Sequence, residues 1–200
     1  MGRHKRLSDN WTKRAKEKGY AARSVFKLEE LDGRFAILQK AQRVVDFGCA
    51  PGSWSRYVKK KKPKVTLVGI DIKPLPNYCG QFLHGSIADF PPQQIHEMLG
   101  GQADVVLSDM APNTTGDRFG DHIRQLEIAQ LAFERAIVLL KPNGSFIVKV
   151  FDGEDANQFV QTVRPYFTST KRVKPKATRG RSVEFFLVCC GFKDTTDRST

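Results

Sequence analysis

A chain of 200 residues is long enough for one well-buried core and too short for two full domains, and 40% hydrophobic with 27% charged residues excludes wholesale disorder. Thirty-three Lys and Arg against 21 Asp and Glu give a formal net charge of +12, a field that attracts polyanions and repels basic partners. Cys49, Cys79, Cys189 and Cys190 form no CxxC pair and have no histidine at ligand spacing, so neither a metal site nor a disulfide framework is indicated and a reducing compartment is expected. No run approaches the ~18 apolar residues of a membrane span, and Met1-Gly2-Arg3-His4-Lys5-Arg6 leads into polar sequence, unlike a signal peptide. A cytoplasmic location is the expectation, with a mitochondrial or other organellar one open if a presequence has been trimmed.

Residues 1–20 read as a basic arm or frayed helix, residues 21–192 as one domain and residues 193–200 as a disordered tail. Ala21 to Leu31 places Ala22, Val25, Phe26 and Leu28 at helical spacing, with Ser24 available as a cap and Lys27 beside the apolar stripe. Phe35-Ala36-Ile37-Leu38 predicts a second short helical stretch. Strand and helix signals then alternate. Arg43 to Phe47 is a strand, Ser53 to Lys60 a helix, Val65 to Ile70 and Gln81 to His84 strands, Pro91-Pro92 the start of a helix through Met98, and Asp104 to Ser108 a strand. A long helix follows from about Asp121 to Leu140, then a turn at Lys141-Pro142-Asn143-Gly144, a strand from Ser145 to Val150 and a helix from Asp155 to Val163. Phe167 to Val173 and Val183 to Cys190 are the last two strands, with no room for a helix between them. This order predicts a Rossmann-like α/β fold: seven strands, mostly parallel, helices on both faces and an antiparallel last strand.

The strand ending at Asp46-Phe47 runs into Gly48-Cys49-Ala50-Pro51-Gly52 and then a helix, so glycines stand where backbone turns tightly and passes close to a ligand. The GxxxG spacing differs from the GxGxxG of dinucleotide sites. Alone it would mark only a turn. Asp71 ends a strand roughly twenty residues on, where such sheets hold a ribose; Asp89 follows His84-Gly85-Ser86 and is placed for a base amino group; Asp46 could hold a cationic part of the ligand. Ligands in open α/β sheets lie beyond the carboxyl ends of strands, where these acids fall.

Four ionisable residues interrupt apolar or turn-forming runs near element ends: Lys27, Asp109, Lys149 and Glu184. Lys149 is the hardest to explain as a surface charge, because a lysine inside Phe146-Ile147-Val148-Lys149-Val150-Phe151 needs a partner or an escape route to solvent. Separately, Lys27 reads as a solvated helical lysine, Glu184 as an edge-strand charge and Asp109 as a turn cap. Together they point to an enzyme.

Asp46-Phe47-Gly48-Cys49-Ala50-Pro51-Gly52-Ser53-Trp54-Ser55, with Leu107-Ser108-Asp109-Met110-Ala111-Pro112, resembles the FtsJ/RrmJ-like ribosomal RNA ribose 2'-O-methyltransferase family, and the resemblance runs from about Asn10 to Cys190. It implies S-adenosylmethionine as cofactor, held by Gly48, Ala50, Pro51, Gly52, Ser53 and Trp54, by Asp71 and its neighbour Ile72 at the ribose, by Asp89 at the adenine edge, and by Asp46 and Asp109. It puts the family's K-D-K-E tetrad on Lys27, Asp109, Lys149 and Glu184. Ser53 departs from the glycine common in bacterial members, and the appended modules of larger relatives are lacking. The implied substrate is the ribose 2'-hydroxyl of a nucleotide, expected to be a uridine, in the RNA of the large ribosomal subunit. A tRNA or mRNA-cap ribose methyltransferase, or a noncatalytic ribosome-assembly factor that binds RNA, stay as alternatives. No obligate protein partner is evident.

Methyl transfer to a hydroxyl needs a group to draw off its proton. An ordinary lysine is a poor base at neutral pH, improved by burial and by a neighbouring cation; Lys149 is the candidate, oriented by Asp109, with Lys27 positioning the ribose or its phosphate and Glu184 holding a lysine. Two basic groups are candidates for RNA: Lys5, Arg6, Lys13 and Arg14 in the arm, and Lys171, Arg172, Lys174, Lys176, Arg179 and Arg181 leading into Glu184.

Overall fold

The computed structural model describes residues 2–113, 115–178 and 182–193, with the backbone alone described for residues 2–9 and 118. The proposed tail lies outside the described residues, apart from its first residue, Lys193. Helices are α1 (Gly2–Glu17), α2 (Val25–Phe35), α3 (Ser53–Lys61), α4 (Pro92–Leu99), α5 (Arg118–Leu139) and α6 (Ala156–Val163); strands are β1 (Arg43–Phe47), β2 (Thr66–Asp71), β3 (Gln81–His84), β4 (Ala103–Ser108), β5 (Leu140–Phe151), β6 (Phe167–Val173) and β7 (Glu184–Phe192). The seven strands form one sheet in the order β3-β2-β1-β4-β5-β7-β6. β7 runs antiparallel to both neighbours, as the short connection before it requires.

Alternation along the strands sends side chains to two cores. Val45, Val68, Val106, Phe146, Val148 and Leu187 pack with Ile95 of α4, Ala129 and Phe133 of α5 and Phe159 of α6. Val44, Leu67, Val105, Leu107, Ile147 and Phe186 pack with Leu28 and Leu31 of α2 and Trp54 and Val58 of α3. The two-residue period carries this second face onward to Asp46, Asp71, Asp109, Lys149 and Glu184, at the carboxyl ends of the parallel strands.

Three local expectations change. Phe35–Leu38 forms no second helix: Phe35 ends α2, Ala36 takes a left-handed conformation (φ 52°) with its N–H closing onto the Asp32 carbonyl, and Ile37 and Leu38 are buried turn residues. Ser24 makes no side-chain cap; its carbonyl accepts from the Trp54 indole at 2.8 Å. Lys141–Gly144 does not separate a helix from a strand but lies within β5, where pairing to β4 jumps from Ala103–Leu140 to Val105–Ser145 and Asn143 takes φ 64°.

The basic N-terminal segment is helical as α1, and its second half docks. Trp11 meets Phe26 at 5.0 Å between ring centroids, Ala15 and Tyr20 join Val25 and Ala177 in a small core, and the Arg14 guanidinium lies 5.2 Å from the Trp11 ring centre.

Candidate active site

Beyond the carboxyl ends of β1, β2 and β4 lies a cavity of about 430 Å³, lined by Gly48 and Ala50 after β1, Asp71 and Ile72 at the end of β2, Gly85 to Ile87 after β3, and Asp109 to Asn113 after β4; Ile128 and Leu131 of α5 close it. The volume suits a nucleoside-sized ligand. The glycine at position 48 is needed twice over: its φ is 68°, and a Cβ there would come within 2.4 Å of Met110 Cγ. Asp71 ties two walls together, one oxygen accepting from Ala50 N at 2.8 Å and the other from Lys73 N at 2.7 Å. Each oxygen keeps a second lone pair for a ligand hydroxyl. Ile72, 70% exposed, offers an apolar surface at the rim for a base to cover.

The tetrad resolves into two ion pairs. Lys149 Nζ donates to the Asp109 carbonyl at 2.6 Å and to Asp109 Oδ1 at 3.1 Å. Lys27 Nζ meets Glu184 Oε1 at 2.5 Å. Phe186 links them: it is the cross-strand partner of Lys149, and its ring centre lies 5.4 Å from Lys27 Nζ. Both lysines are buried, and Asp109 alone of the four lines the cavity. The amines thus stand beside the ligand space, with Asp109 between Lys149 and that space.

Among the residues assigned to the cofactor, Gly48, Ala50, Asp71, Ile72 and Asp109 line the cavity; Asp46, Pro51, Gly52, Ser53, Trp54 and Asp89 do not. Asp46 points beneath the turn, where it accepts from Ser55 Oγ, itself 2.7 Å from Tyr78 Oη. Burial pushes the Asp46 carboxyl up to about 7; the Ser55 hydroxyl opposes this and the Asp109 and Asp71 carboxylates add to it. Ser53 Oγ accepts from Ala22 N and the Trp54 indole donates to the Ser24 carbonyl, so both fix α3 to the segment before α2, and Trp54 also packs on Phe186. Asp89 Oδ2 accepts from Ser86 N at 2.7 Å and shapes the loop that forms one wall.

Gln125 was not among the residues singled out from sequence. It is fully buried on α5, and its amide donates to the Lys149 carbonyl at 2.9 Å and the Met110 carbonyl at 3.3 Å. The available signal was a polar residue in line with Ala129, Ala132 and Ala136, all fully buried, at i, i+4, i+7 and i+11. Asp121, one turn earlier, accepts from Thr115 N and Gly116 N and anchors the far end of the same loop.

Of the RNA candidates, Lys174 and Lys176 are exposed just past the end of β6, on the catalytic side of the sheet. Lys171 is exposed on β6; the Arg172 guanidinium bonds Asn157 Oδ1 at 2.7 Å and covers the Phe185 ring. Lys13 pairs loosely with Glu17. The side chains of Lys5 and Arg6, and all of Arg179 and Arg181, lie outside the described residues.

A sheet in this order with one reversed strand, and a cavity at its carboxyl ends walled by a glycine turn and strand-end acids, define an S-adenosylmethionine-dependent methyltransferase. The cavity fits that cofactor in kind, with a carboxylate for ribose hydroxyls and an apolar wall of Ile72, Ile87, Ile128 and Leu131 for a base. Residues 20–192 match the FtsJ-like methyltransferase family. A protein named Ribosomal RNA large subunit methyltransferase E from Novosphingobium aromaticivorans is 40% identical over 195 residues, covering 96% of this chain and 88% of that one. One of the same name from Brachyspira hyodysenteriae is 42% identical over 194 residues, covering 94% and 98%. A crystal structure described as a ribosomal RNA methyltransferase from Plasmodium falciparum superposes with a TM-score of 0.73 at 28% identity, covering 86% of this chain and 98% of that one. The chain belongs to the FtsJ-like methyltransferase family.

Proposed function

We propose that this protein methylates a ribose 2'-hydroxyl in the RNA of the large ribosomal subunit, with Lys149 as the proton acceptor. The observation that carries the mechanism is the buried Lys149 Nζ held on both the carbonyl and the carboxylate of Asp109, the residue that lines the cavity. S-adenosylmethionine, when bound, supplies an electrophilic methyl group. The methyl would leave its sulfonium sulfur, which becomes a neutral thioether, for the ribose oxygen, and the hydroxyl proton would pass to Lys149 Nζ. Asp109 aims that amine and stabilises the ammonium that results. Lys27, fixed by Glu184 and resting over Phe186, presents positive charge to the ribose or its phosphate. Gly48, Ala50, Asp71 and Ile72 hold the cofactor, and Asp46, Ser53, Trp54 and Asp89 act behind them by shaping the turn and the Ser86 wall.

Lys174 and Lys176, with Arg179 and Arg181 in the same stretch, supply phosphate contacts next to Glu184, and Lys13 and Arg14 extend the basic surface on α1. The names of the relatives favour ribosomal RNA over tRNA or a cap, and the reading puts the enzyme beside its ribosomes in the cytoplasm. Tritiated methyl transfer to naked ribosomal RNA, tRNA and isolated large subunits, followed by mapping of the labelled nucleotide, tests it. Label on a ribose of large-subunit RNA is the expected result; label on tRNA alone, on a base, or nowhere overturns it.

A further inference from the structure

We propose that Gln125 is a positioning residue for the Lys149–Asp109 pair, fastening the strand that carries the base to the loop that carries its acid; this rests on the catalytic reading above. β4 leaves the sheet at Ser108, opposite Val148. One residue further along β5 the parallel neighbour is gone. At that point the Gln125 amide reaches the Lys149 carbonyl from α5, and the same NH₂ group reaches the Met110 carbonyl.

The approach is from behind. α5 packs on the face of Val148 and Val150, whereas the Lys149 side chain leaves from the opposite face toward Asp109. Strand and loop are thereby joined twice: Lys149 Nζ to Asp109 in front, and Gln125 Nε2 to Lys149 and Met110 at the back. Two carbonyl acceptors require the NH₂ half of the amide there, which assigns its orientation. Oε1 is left buried with no partner among the described residues. A helix face that is apolar from Ala129 onward therefore carries at Gln125 a polar group that is only partly satisfied, a poor choice for packing alone. It is a sound choice for holding two backbone segments in register, because small misplacements of a reacting group are costly in rate.

The test compares Gln125→Met, which keeps volume and removes both donors, with Ala132→Gly, a buried change on the same helix that removes no hydrogen bond to either segment. The expected result is a fall in kcat of about 100-fold for Gln125→Met, with KM for RNA and affinity for S-adenosylmethionine within about threefold of wild type. Ala132→Gly should lose thermal stability and keep kcat. Independently of turnover, the ¹³C resonance of the Lys149 ε-methylene, assigned by its loss in Lys149→Met, should move in Gln125→Met and stay in Ala132→Gly. A second variant, Gln125→Glu, keeps a donor only while protonated, so its activity relative to wild type should recover as pH falls. A Gln125→Met kcat near wild type, an unmoved Lys149 resonance, or a pH-independent Gln125→Glu ratio would each overturn the assignment. If wild type itself transfers no methyl group, the catalytic reading fails while the resonance still decides on Gln125.

Discussion

The two ends of the sheet use the same ion pairs in opposite ways. At the amino ends of the strands, Asp32 pairs with Lys61 and Asp104 with Lys141; the acids are buried, while the lysines are 43% and 45% exposed. Backbone N–H groups complete those acids: Leu38 N on Asp32 at 2.8 Å, and Gln42 N and Arg43 N on Asp104 at 2.8 and 2.7 Å. At the carboxyl ends the lysines are withdrawn, Lys27 to 10% and Lys149 to 8%. Removing an ammonium from water is expensive and is weakly repaid by a single carboxylate. The first arrangement secures chain segments; the second holds an amine away from water, which has value only where that amine acts.

The sharpest way to break this contrast is Lys149→Ala. Turnover should fall about 1,000-fold or more, with affinity for S-adenosylmethionine nearly intact by calorimetry; unchanged methyl transfer would remove the mechanism. Next is the Lys27–Glu184 pair. Lys27→Met alone leaves a carboxylate unpaired and should cost about 3 kcal/mol in denaturant unfolding, whereas Lys27→Met with Glu184→Leu should fold at least as stably as wild type and still be impaired in transfer. A double variant as unstable as the single one would make the pair structural.

The two ends should also differ in the sign of their pH dependence. Burial raises the Asp104 carboxyl, but Lys141 and the N–H groups of Gln42 and Arg43 outweigh it and hold it below the usual range, so its stabilisation is present above about pH 4 and is lost as pH falls below that. Asp46, pushed up to about 7, binds a proton on folding, and stability should decline as pH rises from about 4 to about 7. Thermal melts across pH should show Asp104→Asn flattening the acid limb and Asp46→Asn the neutral one. The smallest effect belongs to Lys141→Met. Its ammonium is half in solvent and Asp104 keeps its backbone donors, so the loss should stay under about 1 kcal/mol by denaturant unfolding.

Strand alternation accounts for which of the sequence candidates share a face. Once Leu107 and Ile147 are assigned to one face, Asp109 and Lys149 follow two residues on, and Glu184 shares the face of Phe186. Directions out of a tight turn carry no such period. The resemblance puts Trp54 and Ser53 at the ligand, yet the path of α3 turns them toward Ser24 and Ala22. Asp89 likewise closes its own loop. Phe35–Leu38 looked helical because it is apolar, but Asp32 accepts from Leu38 N and fixes a turn there instead. Gln125 escaped notice for another reason: its partners are main-chain carbonyls, which no residue type in the sequence announces.

The reversed strand has a consequence for synthesis. Because β7 enters the sheet at the catalytic end, Glu184 arrives almost last, although Lys27, which it must neutralise, belongs to the first helices. A nascent chain that has emerged only through β6 has β5 without the neighbour it requires and β6 without any neighbour. Completion of the sheet and pairing of Lys27 with Glu184 are therefore a single late event.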